Sequence, residues 1–154
     1  KANGHLPGHV FTSEEGDEVK IDLTVELISK DRVPQLEIVK NGTVSQAIDV
    51  TSARTSEISA QVSFDRSGWF LVRAIADNEK TFRFASTAPF YVEVGQAKRR
   101  ISRASAQFFF DWTNERMELV KQNIKDPANL PDVLQYHEQA RDFWKRKVEE
   151  ANAD

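Results

Sequence analysis

Three observations predict an immunoglobulin-like antiparallel β-sandwich followed by a C-terminal αα-hairpin. Apolar residues recur with period two from about Val10 to Val94. Turn residues interrupt this alternation at short, regular intervals, marking seven or eight strands with almost no helical pattern among them. After Gly95 the period lengthens to about 3.6 and stays there to the end of the chain. A small barrel is the rival architecture for the first part. The expected division is a sandwich over 1–95 and a helical hairpin over 96–154, packed on the sandwich or on a partner.

Each element has its own signal. Val19, Ile21, Leu23, Val25 and Leu27 alternate with Lys20, Asp22, Thr24 and Glu26, a strand with one wet face. Leu36 to Val39 forms the next strand, and Asn41-Gly42 is a strong two-residue hairpin signal leading into a return strand over Val44 to Val50. Ile58, Ala60, Val62 and Phe64 alternate again, and Asp65-Arg66-Ser67-Gly68 is turn chemistry. Trp69 to Ala76 is apolar on both faces, as a central strand is. Asp77-Asn78 turns the chain into a strand over Thr81 to Phe84, and Phe90 to Val94 closes the series. Pro89 cannot donate to a ladder, so Ser86-Thr87-Ala88-Pro89 reads as a kink between two strand pieces.

Ser102 is the expected N-cap of a first helix running to about Ile124. Phe109, Trp112, Leu119 and Val120 lie near one side of it, with Phe108 and Met117 widening the stripe. Asp126-Pro127 breaks it, and Asn129 is placed to cap a second helix with Pro131 in its first turn. Val133, His137, Ala140, Trp144, Lys147 and Ala151 then share one face, widened by Leu130, Leu134, Phe143 and Val148.

Composition narrows the function. At 154 residues and 40% hydrophobic content, the chain can bury one real core. Its net charge of -3 gives no strong attraction to nucleic acid or to anionic membrane, and no apolar run is long enough to insert as a spanning helix. The absence of cysteine excludes disulfides, thiolate metal sites and cysteine nucleophiles together. Opening on Lys1, without methionine or a signal-peptide pattern, it reads as a processed product or a piece of something longer.

No motif assembles a reaction. His5 and His9 in HLPGH have a metal-friendly spacing only on a helix, which Pro7-Gly8 forbids; a turn into the first strand is the expectation. His137 lies on the apolar seam of the last helix and reads as a packed residue. Lys98-Arg99-Arg100 with Arg103, and Lys145-Arg146-Lys147, read as solvated faces or contact points rather than a nucleic-acid footprint. Asn41-Gly42-Thr43 matches a glycosylation pattern, for which the hairpin is sufficient explanation. Ser86 has no local histidine to activate it. Phosphate-loop, H-E-x-x-H and G-x-S-x-G motifs are all missing. No catalytic residue, metal ligand or cofactor is therefore assigned. The candidate docking or binding residues are the aromatics Trp69, Phe109, Trp112 and Trp144.

SGWFLVRA (67–74), FASTAPFYVEVG (84–95) and FFFDW (108–112), with LPGHVF (6–11) and LEIVKNG (36–42), resemble the C-terminal region of CehA/McbA-type metallohydrolases of the PHP (polymerase and histidinol phosphatase) superfamily. The resemblance covers most of the chain. It implies an upstream catalytic domain on the same polypeptide, holding the metal-binding histidines and acids. It also implies a bacterial, exported or periplasmic setting. None of the family's catalytic motifs can be placed here, and Ser86 stands where relatives commonly show a histidine before the Thr-x-Pro step. Two functions follow as expectations. One is a non-catalytic accessory module of a larger metal-dependent hydrolase, whose isolated docking face self-associates as a homodimer. The other is a free-standing carbohydrate- or protein-binding sandwich.

Overall fold

The alternating part folds into two β-sheets and the remainder into two helices, in a computed structural model that describes residues 1–50, 55–96 and 99–154. The strands are β1 (Val10–Ser13), β2 (Val19–Ile28), β3 (Gln35–Lys40), β4 (Thr43–Asp49), β5 (Thr55–Phe64), β6 (Gly68–Ile75), β7 (Phe84–Ser86) and β8 (Phe90–Val94). The helices are α1 (Arg103–Asn123) and α2 (Leu130–Glu149). One sheet has the order β1-β8-β6-β3-β4, with β7 also on β6; the other is β2-β5. This is an immunoglobulin-like β-sandwich followed by a helical hairpin. Two compact units result, Lys1–Arg99 and Arg100–Asp154.

Alternation explains the packing. Ile21, Leu23, Val62 and Phe64 face inward from the small sheet, and Leu36, Ile38, Phe70, Val72, Phe90 and Val92 from the large one. The rings of Phe64, Phe70 and Phe90 form a continuous line at the centre, with centroids 5.8 and 5.0 Å apart. β6 is central, as its two apolar faces require, pairing with β3 on one side and with β7 and β8 on the other. Asn41 and Gly42 take φ of 52° and 95°, the left-handed pair that a two-residue hairpin between Lys40 and Thr43 demands.

β7 and β8 are one strand broken at Pro89. β7 pairs with Arg73 to Ile75 of β6 and β8 with Gly68 to Phe70, both antiparallel. In the gap, Thr87 N donates to Val72 O (2.9 Å) and Val72 N donates to Thr87 Oγ1 (3.2 Å). A side-chain oxygen thus stands in for the missing ladder acceptor.

The structure corrects several expectations. β1 pairs with β8 in parallel, so the large sheet is not wholly antiparallel. The strand expected over Thr81 to Phe84 begins only at Phe84. Residues 81–83 belong to the loop, where Arg83 reaches Asp31 (2.8 Å) and accepts at its carbonyl from Ala76 N (2.9 Å). Lys98 of the expected basic run lies outside the described residues.

In the hairpin, Ser102 caps α1 as expected, accepting from Ser105 N (3.2 Å). Asn129 does not cap α2 with its side chain. A 3-10 turn at Pro127–Asn129 holds Asn129 in helical φ/ψ, and Asp126 caps that turn by accepting from Ala128 N (3.0 Å). The chain's last residues return to the start of α1: Arg103 N donates to Ala153 O (2.6 Å) and Ile101 N to Asn152 Oδ1 (2.9 Å). One orphan first-turn N–H is met this way.

Candidate functional site

The face of α1 that α2 covers differs from the aromatic stripe. Its buried residues are Ala106, Thr113 and Met117, with Phe109, Phe110 and Val120 half-buried. The Thr113 hydroxyl donates back to Phe109 O (2.7 Å), which makes a polar residue tolerable there. The next row of the helix points away from this face. Phe108 and Trp112, four apart on the next row of the helix, are 63% and 56% exposed. Leu119 continues this outer row, also exposed. Trp112 and Leu119, which the sequence groups on one side with Phe109 and Val120, are exposed where those two are half-buried.

A stack pins the seam end of this surface. The rings of Phe109 and Trp144 lie 4.6 Å apart with an interplanar angle of 18°, α1 against α2. Phe108 meets Phe109 edge-on at 5.3 Å, Trp112 meets Phe109 at 6.3 Å, and Phe143 meets Trp144 edge-on at 5.1 Å. Five rings from two helices therefore form one connected group, half-buried at its centre and exposed at Phe108, Trp112 and Phe143. Lys147 Nζ lies 5.6 Å from the Phe143 ring and 2.6 Å from Glu150.

Three of the four aromatics singled out from sequence, Phe109, Trp112 and Trp144, meet in this group. Trp69 does not join them. It belongs to the sandwich, half-buried on the outer face of β6 opposite Tyr91 of β8, with its backbone N–H donating to Asn41 Oδ1 (3.0 Å). Phe108 and Phe143, which in sequence only widen the apolar stripes, are exposed members of the group outside those four. Both sit one position before a residue of the Phe109–Trp144 stack.

The polar candidates take structural places. The imidazoles of His5 and His9 stack at 3.6 Å, 7° from parallel, with Phe11 edge-on to His9 at 4.7 Å. His137 has Nδ1 3.0 Å from Val133 O, so that nitrogen carries the hydrogen and donates. Among the described residues, no three His, Asp or Glu side chains gather in a metal-holding group. Arg100 donates to the carbonyl of Asp154, and Arg146 and Lys147 lie in the last turn of α2, where the helix dipole favours positive charge. Neither helix is long and apolar enough to cross a membrane.

No family model and no curated protein matches the chain. A solved structure described as fibronectin(III)-like modules of Clostridium thermocellum CbhA is similar at 22% identity, over 59% of this chain and 91% of that one, with a TM-score of 0.34. Overlap of that order leaves the functional reading to the residues themselves.

Proposed function

We propose that the chain is a non-catalytic accessory module of a larger polypeptide, and that the parent is a PHP-type metal-dependent hydrolase. The observation that carries the module reading is the five-ring group on the hairpin. Aromatics this exposed, and clustered around a rigid stack, are the kind of surface a soluble protein covers with a partner. The hydrolase parent is supported by the resemblance of the 67–74, 84–95 and 108–112 stretches, which lie on β6, on β7–β8 and on α1. In this reading the hairpin docks on the catalytic domain upstream.

The test is the intact mass of the native protein from its source cells. A mass well above 17.5 kDa, with a histidine- and aspartate-rich domain upstream, is expected; a mass near 17.5 kDa overturns the reading. With the catalytic domain expressed separately, F108S and W112S together should abolish its co-purification with this chain while leaving the helices intact.

The outward pair Trp69–Tyr91 favours a second reading, a carbohydrate-binding sheet face. A glycan array on which W69A loses signal would establish it, and an array without hits would remove it.

A further inference from the structure

Each strand of the small sheet has one edge on its partner and one edge away from it. On the outer edge of β5, Gln46 Nε2 donates to Gln61 O (2.7 Å) and Lys40 Nζ donates to Ser63 O. Side chains from the other sheet thus guard that edge. The outer edge of β2 is different. There the first residues of the chain lie against it: Thr24 N donates to Lys1 O (2.9 Å), and the Lys1 amine donates to Thr24 O (2.6 Å). Asn3 N donates to Asp22 O (2.8 Å), and Asp22 N to Asn3 Oδ1 (2.8 Å).

These bonds define an antiparallel register, with Lys1 opposite Thr24, Ala2 opposite Leu23 and Asn3 opposite Asp22. Asn3 and Gly4 then turn the chain at φ of 43° and 81°, and Ala2 and His5 exchange two hydrogen bonds across the turn (2.9 and 2.8 Å). This is a two-residue turn whose first arm pairs with β2 through an isolated bridge at Ala2. Strand geometry aims the N–H and C=O of Glu26 and Ile28 at the same outer edge, because they share the phase of Asp22 and Thr24. Among the described residues these groups meet no backbone partner.

The side chains tell the same story. Ala2 is fully buried in the core, while Lys1 beside it is exposed. Past Ala2 lies an open cleft of about 470 Å³, with Leu23, Val25, Val72 and Phe90 in its wall and Lys1, Glu26 and Glu57 also lining it. Val25 and Leu27, the inward residues of this stretch, are only half-buried.

We propose that the free edge of β2 from Val25 to Ile28 seats an extended segment of the same polypeptide running into Lys1, antiparallel to β2. The first and third residues before Lys1 are apolar and enter the cleft beside Val25 and Leu27. The second and fourth exchange hydrogen bonds with Glu26 and Ile28. A strand offered in trans, or by a second copy, would find only those two residues, since Lys1 and Asn3 already hold Thr24 and Asp22. A segment continuous with Lys1 adds the same pairs without a separate association cost. The inference rests on the reading of the chain as part of a longer polypeptide.

The experiment compares the chain with one extended by the residues its reading frame encodes immediately before Lys1, about one strand length or 5–6 residues. Amide hydrogen exchange at Glu26 and Ile28 should slow about tenfold or more in the extended chain. Aspartate at the first and third added positions should restore fast exchange. Glu26→Pro, which removes an outward N–H and leaves the bonds to β5 in place, should erase the gain in Tm that the extension brings. An encoded segment that leaves both amides exchanging as before overturns this inference and leaves the module reading standing. A reading frame with nothing before Lys1 overturns both. Equal protection by the free peptide, or concentration-dependent protection in the unextended chain, overturns the assignment to a segment joined at Lys1.

Discussion

Gly68 has no room for a side chain. A Cβ there would sit 2.7 Å from both Asn41 Oδ1 and Phe64 Cε1. Neither neighbour is free to retreat: Asn41 Oδ1 accepts from Trp69 N, and Phe64 is in the centre of the core. Gly68→Ala should therefore destabilise the sandwich by about 1–3 kcal/mol in urea melts, as overpacking does. Glu18 shows electrostatics at the same scale. A hydrogen bond from Ser63, then one from Lys20 together with its charge, holds its carboxyl below the usual carboxylate range. A lowered pKa adds stability at pH above the unfolded value, and that contribution is lost as pH falls through the folded value. Ser63→Ala should thus raise the midpoint of Glu18 in an NMR titration. The stability gap between variant and parent should be present at neutral pH and shrink in acid. Asn41-Gly42 was legible as a turn from its dipeptide alone. Asn3-Gly4 carries the same dipeptide with left-handed φ, but no alternating run precedes it to mark a hairpin.

Between α1 and α2 the energetic centre is the Phe109–Trp144 stack. Trp144→Ala should cost about 3–5 kcal/mol of hairpin stability, at the lower end because the ring is only half-buried. Trp112→Ala, at 56% exposure, should change it by no more than about 0.5 kcal/mol. Urea denaturation followed by helical circular dichroism separates the two, and it also separates structural from docking aromatics. The helix limits were readable from Ser102, Asp126 and Pro127 because caps and breakers act within a few residues. The division of the aromatic stripe into seam and surface was not readable. A hydrophobicity pattern ranks side chains by apolarity, whereas the interhelix contact buries Ala106 and Thr113 and leaves Phe108 and Trp112 exposed.

The core of the sandwich joins both sheets through Phe64, Phe70 and Phe90, so it behaves as one cooperative body. Phe70→Ala, removing a ring with no exposure at all, should cost about 3–5 kcal/mol and shift the whole β transition in calorimetry. The sequence by itself determined the two-sheet class, the central place of β6, the kink at Pro89 and the helical limits. Each of these follows from local rules: period-two burial, the missing N–H of proline, and capping within a turn. Only the tertiary structure decided that β1 runs parallel to β8, which aromatics are left exposed on the hairpin, and that β2, among the described residues, keeps an open edge beside a cleft. Those features depend on which distant segments meet and on how much volume lies between them, and neither is encoded in the alternation of any single strand.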